Sequence, residues 1–194
     1  MKKRRKNIIK AVSVVGIVIV IILGIAGIIY NNLKTEVYRF PENFVDYAGL
    51  TVEQQIEAIN RDNLKEDICT DVYVTEEGAM EIKLNKKQRE KWIKKIKEKI
   101  EKSERVIEEK GGVLKVSNEQ KRVIMEVPSG VSPELILEES FRATVCVAEY
   151  QILTEENSED WEIYLCFKNI ETGEIIADGT IPYDTIEFTD KDLK

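Results

Sequence analysis

Residues 70–108 read TDVYVTEEGAMEIKLNKKQREKWIKKIKEKIEKSERVIE, and within them the apolar period changes from two to about 3.6. Val72 and Val74 alternate with polar neighbours, Glu77-Gly78 supplies a turn, and Met80, Ile82 and Leu84 alternate again. That is a hairpin pattern, predicted to run from Thr70 to Asn85. Asn85 followed three residues later by Gln88 then has the form of a capping box. Ile93, Ile96, Ile100 and Ile107 mark one stripe of the ensuing helix, with Trp92 and Val106 at its edges. Glu90 with Lys94, and Glu98 with Lys102, add i,i+4 pairs of the favourable order. Gly111-Gly112 ends the helix near its C′ position. Its lysine-rich face is interspersed with acids and reads as a solvated surface.

The pattern repeats downstream. Val113–Val116 and Arg122–Val127 flank Asn118-Glu119-Gln120 as a second hairpin, and Ser132-Pro133 offers an N-cap and first position for another helix. Leu137, Phe141, Val145, Ala148 and Ile152 define its main apolar face, while Ala143, Cys146, Val147 and Tyr150 lie opposite. A helix apolar most of the way round is either sandwiched or covered by a partner. The β-branched run at 144–147 leaves a strand as the alternative. Trp161, Ile163, Leu165 and Phe167 then alternate as a strand. Glu171-Thr172-Gly173-Glu174 turns into Ile175-Ile176, and Ile181–Phe188 reads as a weaker strand interrupted by Pro182. Upstream, Thr51-Val52-Glu53-Gln54 caps a short helix predicted to end near Asn60. The expected fold is α+β: a two-layer sandwich with helices on one face of a largely antiparallel sheet.

A charged helix after Leu84-Asn85, a hairpin carrying Val123–Val127, an apolar helix with Tyr150-Gln151 and the turn Glu171–Glu174 together resemble a loose group. Its members are small extracytoplasmic proteins of Gram-positive bacteria, held by an N-terminal anchor or a lipid. The resemblance covers roughly residues 50–180 and rests on element order. It implies an envelope location and carries over no site residues.

The N-terminus agrees with that location. Lys2-Lys3-Arg4-Arg5-Lys6 precedes Ala11–Tyr30, an uncharged run of 20 residues. As a helix it reaches about 30 Å, the hydrocarbon thickness of a bilayer. Flanking cations are retained in the cytoplasm, so the expected order is a basic segment at 1–10, a transmembrane helix at 11–30, a juxtamembrane stalk at 31–50 and an extracytoplasmic domain at 51–194. The aromatics Tyr38, Phe40, Phe44 and Tyr47 are too many for a mere tether, so the stalk is expected to fold back onto the domain or touch the headgroups. A cleaved signal is the alternative, with Gly24-Ile25-Ala26 as its site; the run is longer than most signal cores. No Cys follows it to accept a lipid, and Gly16, Gly24 and Gly27 form no G-x-x-x-G pair.

Composition then excludes chemistry. The chain has no His, which removes Ser-His-Asp and Cys-His catalysis and imidazole metal ligands. Residues 1–30 hold 6 of the 29 Lys and Arg and none of the 36 Asp and Glu, which leaves 23 bases against 36 acids and a net charge of −13 beyond. Nucleic acid and anionic lipid surfaces are repelled by that charge. Cys69, Cys146 and Cys166 form no C-x-x-C pair and read as small core residues, with any pairing among them left open. Phosphate-binding glycine loops, G-x-S-x-G and EF-hand loops are all missing from the sequence.

Only two acid clusters, Glu76-Glu77-Glu81 and Glu155-Glu156-Glu159-Asp160, offer carboxylate pairs of the kind that cleave glycosidic bonds. Both fall on predicted turns, where carboxylates are solvated. The expectation is a non-enzymatic, cofactor-free binding module of the cell envelope, with the helix around residues 133–153 as its contact for an envelope protein. The alternatives are a wall-active hydrolase using the acid clusters and a structural subunit of a membrane complex.

Overall fold

Strand β1 (Thr35–Phe40) runs antiparallel to β3 (Met80–Asn85), whose other edge takes β2 (Asp71–Val74), so the first sheet has the order β1-β3-β2. The second sheet has the order β4-β5-β6-β7, from Val113–Val116, Arg122–Val127, Ile163–Asn169 and Ile175–Ile181. Four helices complete the chain: α1 (Glu42–Tyr47), α2 (Val52–Glu66), α3 (Lys86–Glu108) and α4 (Pro133–Thr154). The computed structural model describes residues 33–155 and 158–189. The expected basic segment and membrane helix at 1–30 lie outside the described residues, among which no helix is long and apolar enough to cross a membrane.

The fold is α+β, with one antiparallel and one mixed sheet. Two expectations change. The strands form two sheets rather than one, because β1 occupies the edge of β3 that a second hairpin would need. And β5 pairs with β6 in parallel, because α4 is a crossover between them rather than a link between separate hairpins. The source of β1 is a third correction. Residues 31–50, expected as a stalk, supply β1 and α1 and place Phe40, Phe44 and Val45 in the core. Phe44 packs edge-on against Trp161, with ring centroids 5.8 Å apart, and the Trp161 indole donates to Asn43 Oδ1 at 3.0 Å.

The capping boxes form as expected. Thr51 accepts from the Gln54 amide and Asn85 from that of Gln88, and each glutamine reaches back to its cap. Helix α2 continues past Asn60 to Glu66 and stops at Asp67, whose φ is 50°. Its last turn is tied to α3 by Glu66, which pairs with Lys91 at 3.4 Å and with Lys95. Gly112 closes the far end of α3 tightly: a Cβ there would meet the Glu126 carbonyl at 2.8 Å and Ile107 at 2.9 Å. The expected strand Ile181–Phe188 is not formed. Strand β7 runs through Ile175–Ile181 and stops before Pro182, which has no N–H to continue a ladder.

Helix α4 is the hub. It packs on β1 of the first sheet, on β5 and β6 of the second, and along α3. Its core side is made of Ile136, Ser140, Ala143, Thr144, Val147 and Gln151, all buried. Small side chains there let the helix approach the strands, and of the expected apolar face Ala148 and Ile152 are buried with them and Val145 is half-buried. Leu137 and Phe141 keep 40% and 41% of their surface exposed.

Candidate functional site

The outward side of α4 forms one wall of a groove with a cavity volume of about 610 Å³. Phe141, Val145 and Glu149 project from that wall one turn apart, the spacing that puts residues i, i+4 and i+8 on one side of a helix. Helix α3 supplies the adjoining wall through Trp92, Ile96 and Lys99. Ala58, Ile59 and Asp62 of α2 stand on the remaining side, and Phe40, Phe44 and Met80 lie at the base. The volume is of the order that holds a drug-sized molecule.

The groove is shaped by specific bonds. Gln55, the one buried residue of α2, donates through Nε2 to the carbonyls of Val45 and Leu50, both at 3.3 Å. These bonds fold the α1–α2 connection back on itself. Tyr47 shares a 2.6 Å hydrogen bond with Thr144 Oγ1, and its ring lies 5.4 Å from that of Phe141. Phe40 and Trp92 approach to 6.4 Å between centroids.

Seven polar residues interrupt the apolar lining, Gln55, Asp62, Lys95, Lys99, Glu138, Arg142 and Glu149, and the last stands apart. Glu149 is half-buried as a residue, but its Oε2 is shut off from solvent and has no hydrogen-bond partner. Burial pushes its carboxyl above the ordinary value, while the Lys99 charge and the nearby Trp92 indole partly offset this. Leaving such a group unsatisfied costs on the order of 1–3 kcal/mol. No ion pair reaches Glu149 among the described residues. Lys95 is held by Glu66, and Arg142 by Glu138 at 2.8 Å and Glu139 at 3.0 Å. Lys99 is exposed on α3 and solvated.

The sequence-derived acid clusters lie elsewhere. Arg39 on β1 bridges them, pairing with Glu77 and, at 3.1 Å, with Glu159. Glu81 accepts from the Tyr73 hydroxyl at 2.7 Å. Glu77 is 72% exposed, and none of these acids lines the groove. The clusters are brought together, yet across a guanidinium on an open surface rather than across a cleft. Glu156 lies outside the described residues.

Cys69, Cys146 and Cys166 are buried free thiols. Burial pushes the thiols of Cys69 and Cys146 up, the latter to about 12, so neither is a ready nucleophile. Among the described residues no group of three His, Cys, Asp or Glu could hold a metal ion.

Sequence reasoning missed Glu149. It stands in the surplus-apolar helix with Arg142 and Glu138 as its charged companions, and only the placement of α2 and α3 reveals that it faces apolar walls. A single charge within the twelve residues Ala143–Thr154 was the available signal. No family model, curated protein or solved structure matches the chain.

Proposed function

We propose that this chain is a non-enzymatic, single-pass membrane protein whose outer α+β domain binds a small, largely apolar ligand in the groove between α2, α3 and α4. The observation that carries the reading is the groove itself: about 610 Å³ lined by aromatic and aliphatic side chains from three helices, with charged residues of the same helices among them. Pockets of that size and lining are the usual form of small-molecule sites. The uncharged run Ala11–Tyr30 behind a basic block supports the anchor, with the domain outside the cell. In the same reading, α3 and α4 form one layer over the strands of both sheets. The absence of His from the sequence, and the Arg39 bridge between the acid clusters, weigh against a hydrolase.

An envelope-protein partner is the second reading, favoured by the exposed Leu137 and Phe141 at the rim of the same wall. Both readings meet on the helix expected from sequence to be the contact.

Two measurements test the proposal. The full chain in lipid nanodiscs should bind an apolar reporter dye saturably, and Ala58→Trp, which fills the groove from the α2 side, should weaken binding at least tenfold. Dye binding that is indifferent to that substitution removes the groove from the reading. Protease added to intact cells should degrade the C-terminal domain; protection until lysis would overturn the topology.

A further inference from the structure

We infer that the groove selects ligands bearing a positively charged amine on an apolar body, with the Glu149 carboxylate as the counter-ion and Trp92 and Phe141 as the aromatic flanks. The inference rests on the groove being a ligand site.

Three observations favour a cation. First, Glu149 lines the groove with one carboxylate oxygen sealed from water and unpartnered. A folded chain gains nothing from such a group that an apolar side chain would not supply better. A cationic ligand in the groove would offset its charge. Second, the cations that line the groove are occupied or solvated: Lys95 is paired with Glu66, Arg142 with Glu138 and Glu139, and Lys99 is exposed. An anionic ligand would find Lys95 and Arg142 taken, Lys99 held in water, and a carboxylate beside it. Third, the aromatic lining suits an ammonium group, because the negative face of a ring attracts a cation within about 6 Å. The charge of −13 on residues 31–194 draws cations toward the domain.

The groups facing Glu149 set the terms of its charge. Lys99 and Trp92 approach from α3, Cys146 and Arg142 share its own helix, and Asp62 lines the same groove from α2. Lys99 is the internal competitor for the carboxylate. An arriving amine replaces its long-range attraction with a direct contact.

The test compares 4-phenylbutylamine, 4-phenylbutan-1-ol and 4-phenylbutyrate, one skeleton with cationic, neutral and anionic heads. Binding to the full chain in neutral-lipid nanodiscs is read from Trp92 fluorescence at pH 7, with a Trp92→Phe chain as the blank for Trp161. The amine should bind at least tenfold more tightly than the alcohol, and the acid least. Glu149→Gln should bring amine and alcohol binding within twofold of each other, and Lys99→Met should tighten the amine two- to fivefold. Equal binding of all three heads, or preference for the acid, overturns the cation inference and leaves the groove reading standing. If none of the three binds and the reporter dye also fails, the groove reading itself falls. Thermal melting of each variant separates loss of selectivity from loss of fold.

Discussion

The two helices that face each other across the groove, α4 and α2, are built on opposite terms. Helix α4 touches both sheets and buries eleven residues, from Ile136 to Leu153. Helix α2 buries Gln55 alone, leaves Leu64 91% exposed and leans on the fold through half-buried Val52, Ile56 and Ile59. One wall of the groove is therefore part of the core and the other is a cover held mainly at its ends. At its start α2 is held by the Thr51–Gln54 capping box and the Gln55 bonds, and at its finish by Glu66 with Lys91 and Lys95. Exposed ion pairs of this kind are each worth about 1 kcal/mol or less. The local opening free energy of α2 should then lie well below the global value, as is usual for elements that admit ligands.

Substitutions can break this contrast, beginning with the fixed wall. Ile152→Ala, at a fully buried position of α4, should lower stability by about 3 kcal/mol in urea denaturation, through lost transfer energy and the cavity left behind. A loss below about 1 kcal/mol would show that α4 is not the hub.

Glu149→Met should act in the other direction, raising stability by about 2 kcal/mol at neutral pH, because it removes an unsatisfied buried group. The gain has a pH sign. Burial holds the Glu149 carboxyl above its ordinary 4.5, so between that value and its folded-state value the native chain keeps a proton that the unfolded chain has released. Stability from this group falls as pH rises through that window. Urea midpoints for the two chains should therefore lie closest at and below pH 4.5 and separate as pH rises above it. A constant separation would mean that the carboxyl is not held protonated.

On the cover, Thr51→Ala removes the N-cap of α2 and should cost about 1 kcal/mol. Hydrogen exchange should show that loss in the amides of α2 while those of α4 keep their protection. Equal loss of protection in both helices would make them one cooperative unit and abolish the contrast. The smallest effect belongs to Leu64→Ala, expected within about 0.5 kcal/mol of the parent, since the side chain is already in water.

Much of the fold was legible because local chemistry and tertiary context agree. Thr51, Asn85 and Ser132 cap helices where their sequence neighbours say they should, and Met80, Ile82 and Leu84 alternate into the core. The failures share one cause. Which strand pairs with which depends on contacts between residues far apart, such as Phe40 opposite Met80, and periodicity within a segment carries none of that information. The aromatics at 38–47 signalled burial, but nothing local said that they begin the first sheet. Hydrophobicity placed Leu137 and Phe141 on the same α4 face as Ala148 and Ile152, and only the latter two are buried. Close packing on two sheets drew in Ser140 and Thr144 instead. The groove lies along the part of that face left open, so it was hidden from the sequence along with Glu149.

The early start of β1 sets the reach of the domain. If Ala11–Tyr30 is embedded as proposed, only Asn31–Lys34 separate the lipid from the first strand at Thr35. Four residues pulled straight extend about 14 Å. A leash that short holds the molecule against the headgroups, where it can sample solutes leaving or entering the bilayer but cannot patrol the outer wall.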